Sequence, residues 1–92
     1  MELASSAMIK RGTDHVHSIV DNELVMMNIN TGLYVTLNET GKFIWELLEN
    51  PLQVHQLEGS LMETFTVTPE AFEKEVIPFL FQMIERKIII AS

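Results

Sequence analysis

Three histidines and a run of glutamates are the side chains with the most chemical reach in this sequence. His15 and His17 alternate, so on a strand they share a face, and two imidazoles there can hold a metal once a third ligand joins them. No third ligand is marked by the sequence, and two half-packed or solvated histidines explain the pair as well. Glu70, Glu73 and Glu75 have the spacing of a solvated helix face. A catalytic carboxyl pair needs a shifted pKa, and nothing in this pattern imposes one. Gly12, Gly32, Gly41 and Gly59 are isolated, which excludes a glycine-rich phosphate loop. The serines, at positions 5, 6, 18, 60 and 92, lie in no nucleophile motif. The absence of cysteine removes disulfides, thiolate metal sites and thiol nucleophiles together. The reading is of a protein that is not an enzyme, with no catalytic residue, no metal and no cofactor.

Composition narrows the remaining classes. A chain of 92 residues, 47% of them hydrophobic, suffices for one domain with its own core. The formal net charge is −7. Lys10-Arg11 and Arg86-Lys87 are paired and Lys42 and Lys74 stand alone, so a phosphate backbone would be repelled and nucleic acid is not an expected partner. There is no apolar run of bilayer length, and Met1 to Ile9 lacks the basic start and apolar stretch of a secretory signal. The expected location is cytoplasmic, with no membrane partner.

The elements that would position a binding site can be read from pattern. Residues 1–14 show no period and read as a flexible lead-in with at most a short strand near its end; residues 15–92 form the single domain. His15 to Val20 has strand character, Asp21-Asn22 is a turn signal, and Glu23 to Ile29 is an apolar strand. Asn30-Thr31-Gly32 reads as a hairpin loop, with Gly32 free to take positive φ. In the returning strand Leu33, Val35 and Leu37 share one face and Tyr34 and Thr36 the other. Asn38 is a good N-cap for a first helix whose apolar stripe is Phe43, Ile44, Leu47 and Leu48, with Trp45 to one side over a seam to the sheet. Asn50-Pro51 ends it. A second helix spans about Gln53 to Thr64. Thr68 caps a third, with Pro69 at its first position, running to about Lys87. Pro78 falls inside that helix and should bend or split it. Ile88-Ile89-Ile90 leaves it as an extended tail or short strand.

Two surfaces stand out for binding. The small sheet has edges that it cannot close, and Leu33 to Leu37 carries no proline or lysine to block one. An extended peptide can add to such an edge through backbone hydrogen bonds. The third helix is apolar over more arc than one packing face requires: Phe72, Val76, Phe79 and Met83 fill one side, and Ile77, Leu80, Phe81 and Ile84 widen it. Either it is buried on two sides, within the domain or in a homodimer, or part of it lines an open groove.

The run from Asn30 to Leu48, with Leu37-Asn38, Gly41 and Ile44-Trp45-Glu46-Leu47 in that order and spacing, resembles the PqqD-like peptide chaperones. Phe65, Val67, Val76, Phe79, Leu80 and Ile84 continue the resemblance, which covers about residues 15 to 90. It implies an α+β fold of the winged helix-turn-helix kind, a three-stranded antiparallel sheet followed by three helices. It also implies a recognition element for ribosomally synthesised, post-translationally modified peptides, whose precursor leader peptide adds to the third strand beside the third helix. The candidate peptide-binding residues are Leu33, Tyr34, Val35 and Thr36 at the edge, and Val76, Phe79, Leu80, Met83 and Ile84 in the groove. A chain of this length is similar to the discrete leader-binding protein of lasso-peptide pathways, which works beside a leader peptidase and a cyclase. Pro78, and Asn50-Pro51 in place of an Asp-Gly turn, depart from the family pattern. The alternative is a winged-helix DNA-binding regulator, for which the basic recognition face is missing.

Overall fold

The computed structural model describes residues 3–92. Its first strand, β1 (Met8–Arg11), is the middle of a sheet that the sequence did not announce. β1 pairs antiparallel with the two-residue β5 (Leu52–Gln53) on one side and with β6 (Ile89–Ala91) on the other. The expected lead-in of residues 1–14 is therefore shorter. From Met8 the chain is built into the core, and Ile9 is fully buried. Residues 1 and 2 of that lead-in lie outside the described residues. The short strand allowed for near the end of that lead-in is β1, but a four-residue strand with one inward apolar side chain carries no alternation that would reveal its partners.

The expected three-stranded sheet is a second, separate one: β2 (His15–Val20), β3 (Glu23–Asn28) and β4 (Tyr34–Leu37), in that spatial order and antiparallel throughout. Asp21 and Asn22 both take left-handed backbone, φ 50° and 68°, the two-residue hairpin geometry that matches strand twist. At the other hairpin Gly32 has φ 74°, and the Asn28 side chain accepts from the Asn30 and Thr31 amides. One face of this sheet supplies Leu24, Met26 and Leu37 to the core. The other leaves Val16, Val20 and Tyr34 exposed.

Three helical stretches complete the chain's layout. In α1 (Glu39–Leu47) the Asn38 side chain caps the Gly41 amide at 2.9 Å, as its residue type predicts. α2 (Val54–Thr64) buries Val54, Leu57 and Leu61. The third stretch, here α3, comprises an α turn (Pro69–Ala71) capped by Thr68, a π-helical segment (Phe72–Val76) and an α-helix (Ile77–Glu85). The π segment answers Pro78. A proline ring collides with the carbonyl four residues back in a regular α-helix and donates no hydrogen bond. Here the turn widens so that the Ile77 amide reaches back five residues to the Phe72 carbonyl, and the α-helix restarts with proline in its first turn. The helix neither splits nor stops.

Trp45 ties the two sheets together. Arg11 of β1 lies 4.5 Å above its ring and donates from Nε and Nη2 to its carbonyl oxygen, at 3.0 and 2.7 Å. His17 of β2 meets the ring edge-on at 5.6 Å. One indole thus covers the seam, and the guanidinium joins the Leu48 amide, at 3.2 Å, as a donor to the Trp45 carbonyl at the end of α1. No helix among the described residues is long and apolar enough to cross a membrane.

α3 ends in a two-bond reversal. The Lys87 amide bonds to the Ile84 carbonyl and the Ile88 amide to the Met83 carbonyl, with Lys87 at φ 60°. This is a Schellman cap built on lysine where glycine is the usual occupant. It turns Ile88 and Ile89, each 1% exposed, into the core and sends β6 to β1. Lys87→Gly should raise stability by about 1 kcal/mol, since left-handed backbone strains a side chain bearing Cβ. Urea denaturation checks this, the midpoint moving upward at constant slope; an unmoved or lowered midpoint contradicts it.

Candidate functional site

The outer edge of β4 is open. The Asn28 amide bonds to the Leu33 carbonyl at 2.9 Å, and the register pairs Met26 with Val35 and Leu24 with Leu37. Bonded and non-bonded pairs alternate along an antiparallel ladder. Leu33, Val35 and Leu37 therefore turn their backbone groups toward β3, while Tyr34 and Thr36 turn theirs away from it. No strand among the described residues lies on that side, because β4 ends the order β2-β3-β4.

Beside the edge lies a trough of three cavities in file. The largest, about 490 Å³, has Leu33, Tyr34, Val35 and His15 along one side and Arg86 and Ile88 along the other. The next, about 160 Å³, lies between Val35, Thr36 and Leu37 of β4 and Phe79, Gln82 and Met83 of α3. The last, about 300 Å³, lies among Asn38, Thr40 and Gly41 of α1, Val67, and Glu75, Val76 and Phe79 of α3. The first two cavities adjoin along Val35, Arg86 and Ile88, and Phe79 stands between the second and the third, so the three follow one another from the β3–β4 loop to the start of α1.

The structure brings together most of the residues expected from sequence. Leu33 and Tyr34 are 71% and 72% exposed and Thr36 is exposed, while Val35 is half-buried. Val76 and Met83 form the floor, and Phe79 stands between two cavities. One assignment is corrected: Leu80 is 0% exposed and faces the interior. Ile84 is half-buried and borders none of the three cavities. A helix apolar nearly all round has no period to say which arc faces the trough, and the π turn shifts the phase of the residues after it. Arg86, Gln82, Ile88 and Val67 were missed. The only sequence signal for them was adjacency: Arg86 sits at the helix end, where a side chain reaches past the last turn.

The other histidine and carboxylate candidates do not converge. The ring of His17 is spent on Trp45, and the Nδ1 of His15 is buried without a partner among the described residues. No group of three His, Asp or Glu side chains suited to a metal occurs among the described residues. Glu70 pairs with Lys74 at 2.7 Å, and Glu73 and Glu75 are exposed.

Gly41 sets the depth of the trough. A Cβ there would meet Phe79 Cζ at 3.0 Å and Leu37 Cβ at 3.1 Å, so α1 approaches β4 and α3 closely only without a side chain.

A family model described as coenzyme PQQ synthesis protein D (PqqD) matches residues 23–89. The solved structure of TbiB1 in complex with the TbiA(beta) leader peptide has the same fold, with a TM-score of 0.77 and 23% identity, covering 88% of this chain and 94% of that one. No curated protein matches the sequence.

Gly41→Ala should cost stability. The crowding penalty of about 1–3 kcal/mol exceeds the gain of about 1 kcal/mol from replacing glycine inside a helix. A lowered urea midpoint is expected; a raised one would show that Phe79 and Leu37 yield freely.

Proposed function

The chain belongs to the PqqD family, and on that premise we propose that it is a non-catalytic domain that binds the leader segment of a ribosomally synthesised precursor peptide. The leader adds to β4 as a further strand, pairing with the backbone of Tyr34 and Thr36, and its inward side chains fill the trough floored by Val76, Phe79 and Met83. The open ladder edge beside an apolar trough is the observation that carries this reading. Each half is incomplete alone: an edge gives affinity without selection, and a trough gives selection without register. TbiB1, which has the same fold, was solved with a leader peptide, and that supports the reading.

Lasso-peptide biosynthesis is the pathway proposed, with a leader peptidase and a cyclase as partner enzymes. The domain would aid them by holding the substrate at high effective concentration rather than by touching the reacting bonds. A DNA-binding role fits less well, since α3 presents exposed Glu70, Glu73 and Glu75 and a phosphate backbone would meet like charge there.

The test uses a fluorescein-labelled synthetic leader taken from a short precursor gene beside that of the chain. Saturable binding is expected. Thr36→Pro removes an outward amide without touching the β3 ladder and should weaken binding about tenfold, the worth of one backbone hydrogen bond left unmade. Ile19→Pro is the control. Val20 pairs with Glu23 across the two-residue turn, so by the same alternation the Ile19 amide points out from the opposite edge of the sheet. Its binding should be unchanged, with circular dichroism reporting that both variants fold. Equal loss in the two variants, or no binding by the parent chain, would overturn the assignment of β4.

A further inference from the structure

The trough is not electrically uniform. Among the described residues Arg11 is bound to Trp45, Lys42 to Asn22 and Lys74 to Glu70. Arg86, like Lys10 and Lys87, has no acceptor among the described residues, and of these three it is the one that borders the 490 Å³ and 160 Å³ cavities beside β4. No Asp or Glu borders either cavity, in a chain whose net charge is −7. At the far end of the trough the sign reverses, where Glu75 borders the cavity beside Asn38 and Gly41.

A second group in the larger cavity lacks a partner. The His15 ring borders it, and its Nδ1 is shut away from solvent without a hydrogen bond among the described residues. A buried ring nitrogen in that state costs free energy. Arginine and histidine thus stand across one cavity, with no negative group between them.

We propose that this end of the trough is a carboxylate-recognition subsite, in which Arg86 selects an aspartate or glutamate side chain of the strand added to β4. The inference rests on the leader-binding reading and names one chemical requirement of the guest. The guanidinium offers a planar fork of N–H donors that a carboxylate fits with two bonds. The cavity between Tyr34 and Arg86 holds the end of the acid. A guest residue opposite Val35, whose side chain leaves the strand on the same face as that of Val35, is the one placed to reach it. Glu75 repels an acid from the other end, so charge fixes where along the edge the guest settles.

The experiment is selection from a displayed library of short random peptides on the whole chain and on its Arg86→Glu variant. Peptides selected on the parent should carry Asp or Glu at one fixed position relative to their apolar residues. Replacing that acid with its amide should weaken binding about tenfold, and raised salt should weaken the acidic peptide more than the amide. The Arg86→Glu variant should reject the parent's peptides and select Lys or Arg at the same position, a reversal that general misfolding cannot produce. Binders that are sensitive to Thr36→Pro but show no acidic preference, or that bind the Arg86→Glu variant equally well, overturn the subsite and leave edge binding standing. Failure of any peptide to enrich on the parent chain overturns both.

Discussion

The backbone groups of Tyr34 and Thr36 point away from their own sheet, and no other strand of the described chain meets them. A buried amide or carbonyl without a partner costs about 1–3 kcal/mol, so such an edge is either wetted or completed by another chain. What keeps it open is the route of the C-terminus. β6 is the nearest spare strand in sequence to α3, and the reversal at Lys87 commits it to β1, where Ile9 pairs with Ala91 and Arg11 with Ile89. The edge is open because the segment nearest to closing it holds the other sheet together.

Packing gives the edge its floor. α3 must lie close enough to β4 for a guest strand to touch both, and far enough to leave room for side chains. Gly41 permits the close approach at one end by letting Phe79 settle against α1. The π turn keeps the helical run unbroken along β4, because Pro78 is taken up by a widened turn. Trp45, held by Arg11 of β1 and His17 of β2, joins the two sheets. A long exposed edge invites unwanted pairing between copies. Here β4 has only four residues and lies beside a helix, which limits what can add to a single extended segment.

Local chemistry was readable in the sequence and long-range pairing was not. Asn38 and Thr68 declared two helix starts, Asp21-Asn22 a turn, and the alternation of Leu33 to Leu37 the face of β4, because each depends on neighbours within a few residues. The sheet β5-β1-β6 joins the two ends of the chain through strands of two to four residues, too short to show a period. The trough was readable at its β4 side and only partly at its α3 side. Val76, Phe79 and Met83 line the cavities, whereas Leu80 was misplaced because the helix is greasy on nearly every face. Arg86 escaped notice because a single cation at a helix end looks ordinary until the cavities on either side of it are known.

The most direct measurement of the central claim is amide hydrogen exchange at Tyr34 and Thr36, read residue by residue with and without a saturating leader peptide. The account predicts fast exchange at these two amides in the free protein beside slow exchange at Val35 and Leu37, and protection of all four once the leader is bound. Protection of Tyr34 and Thr36 in the free protein, or exchange there that the bound leader does not slow, would contradict it.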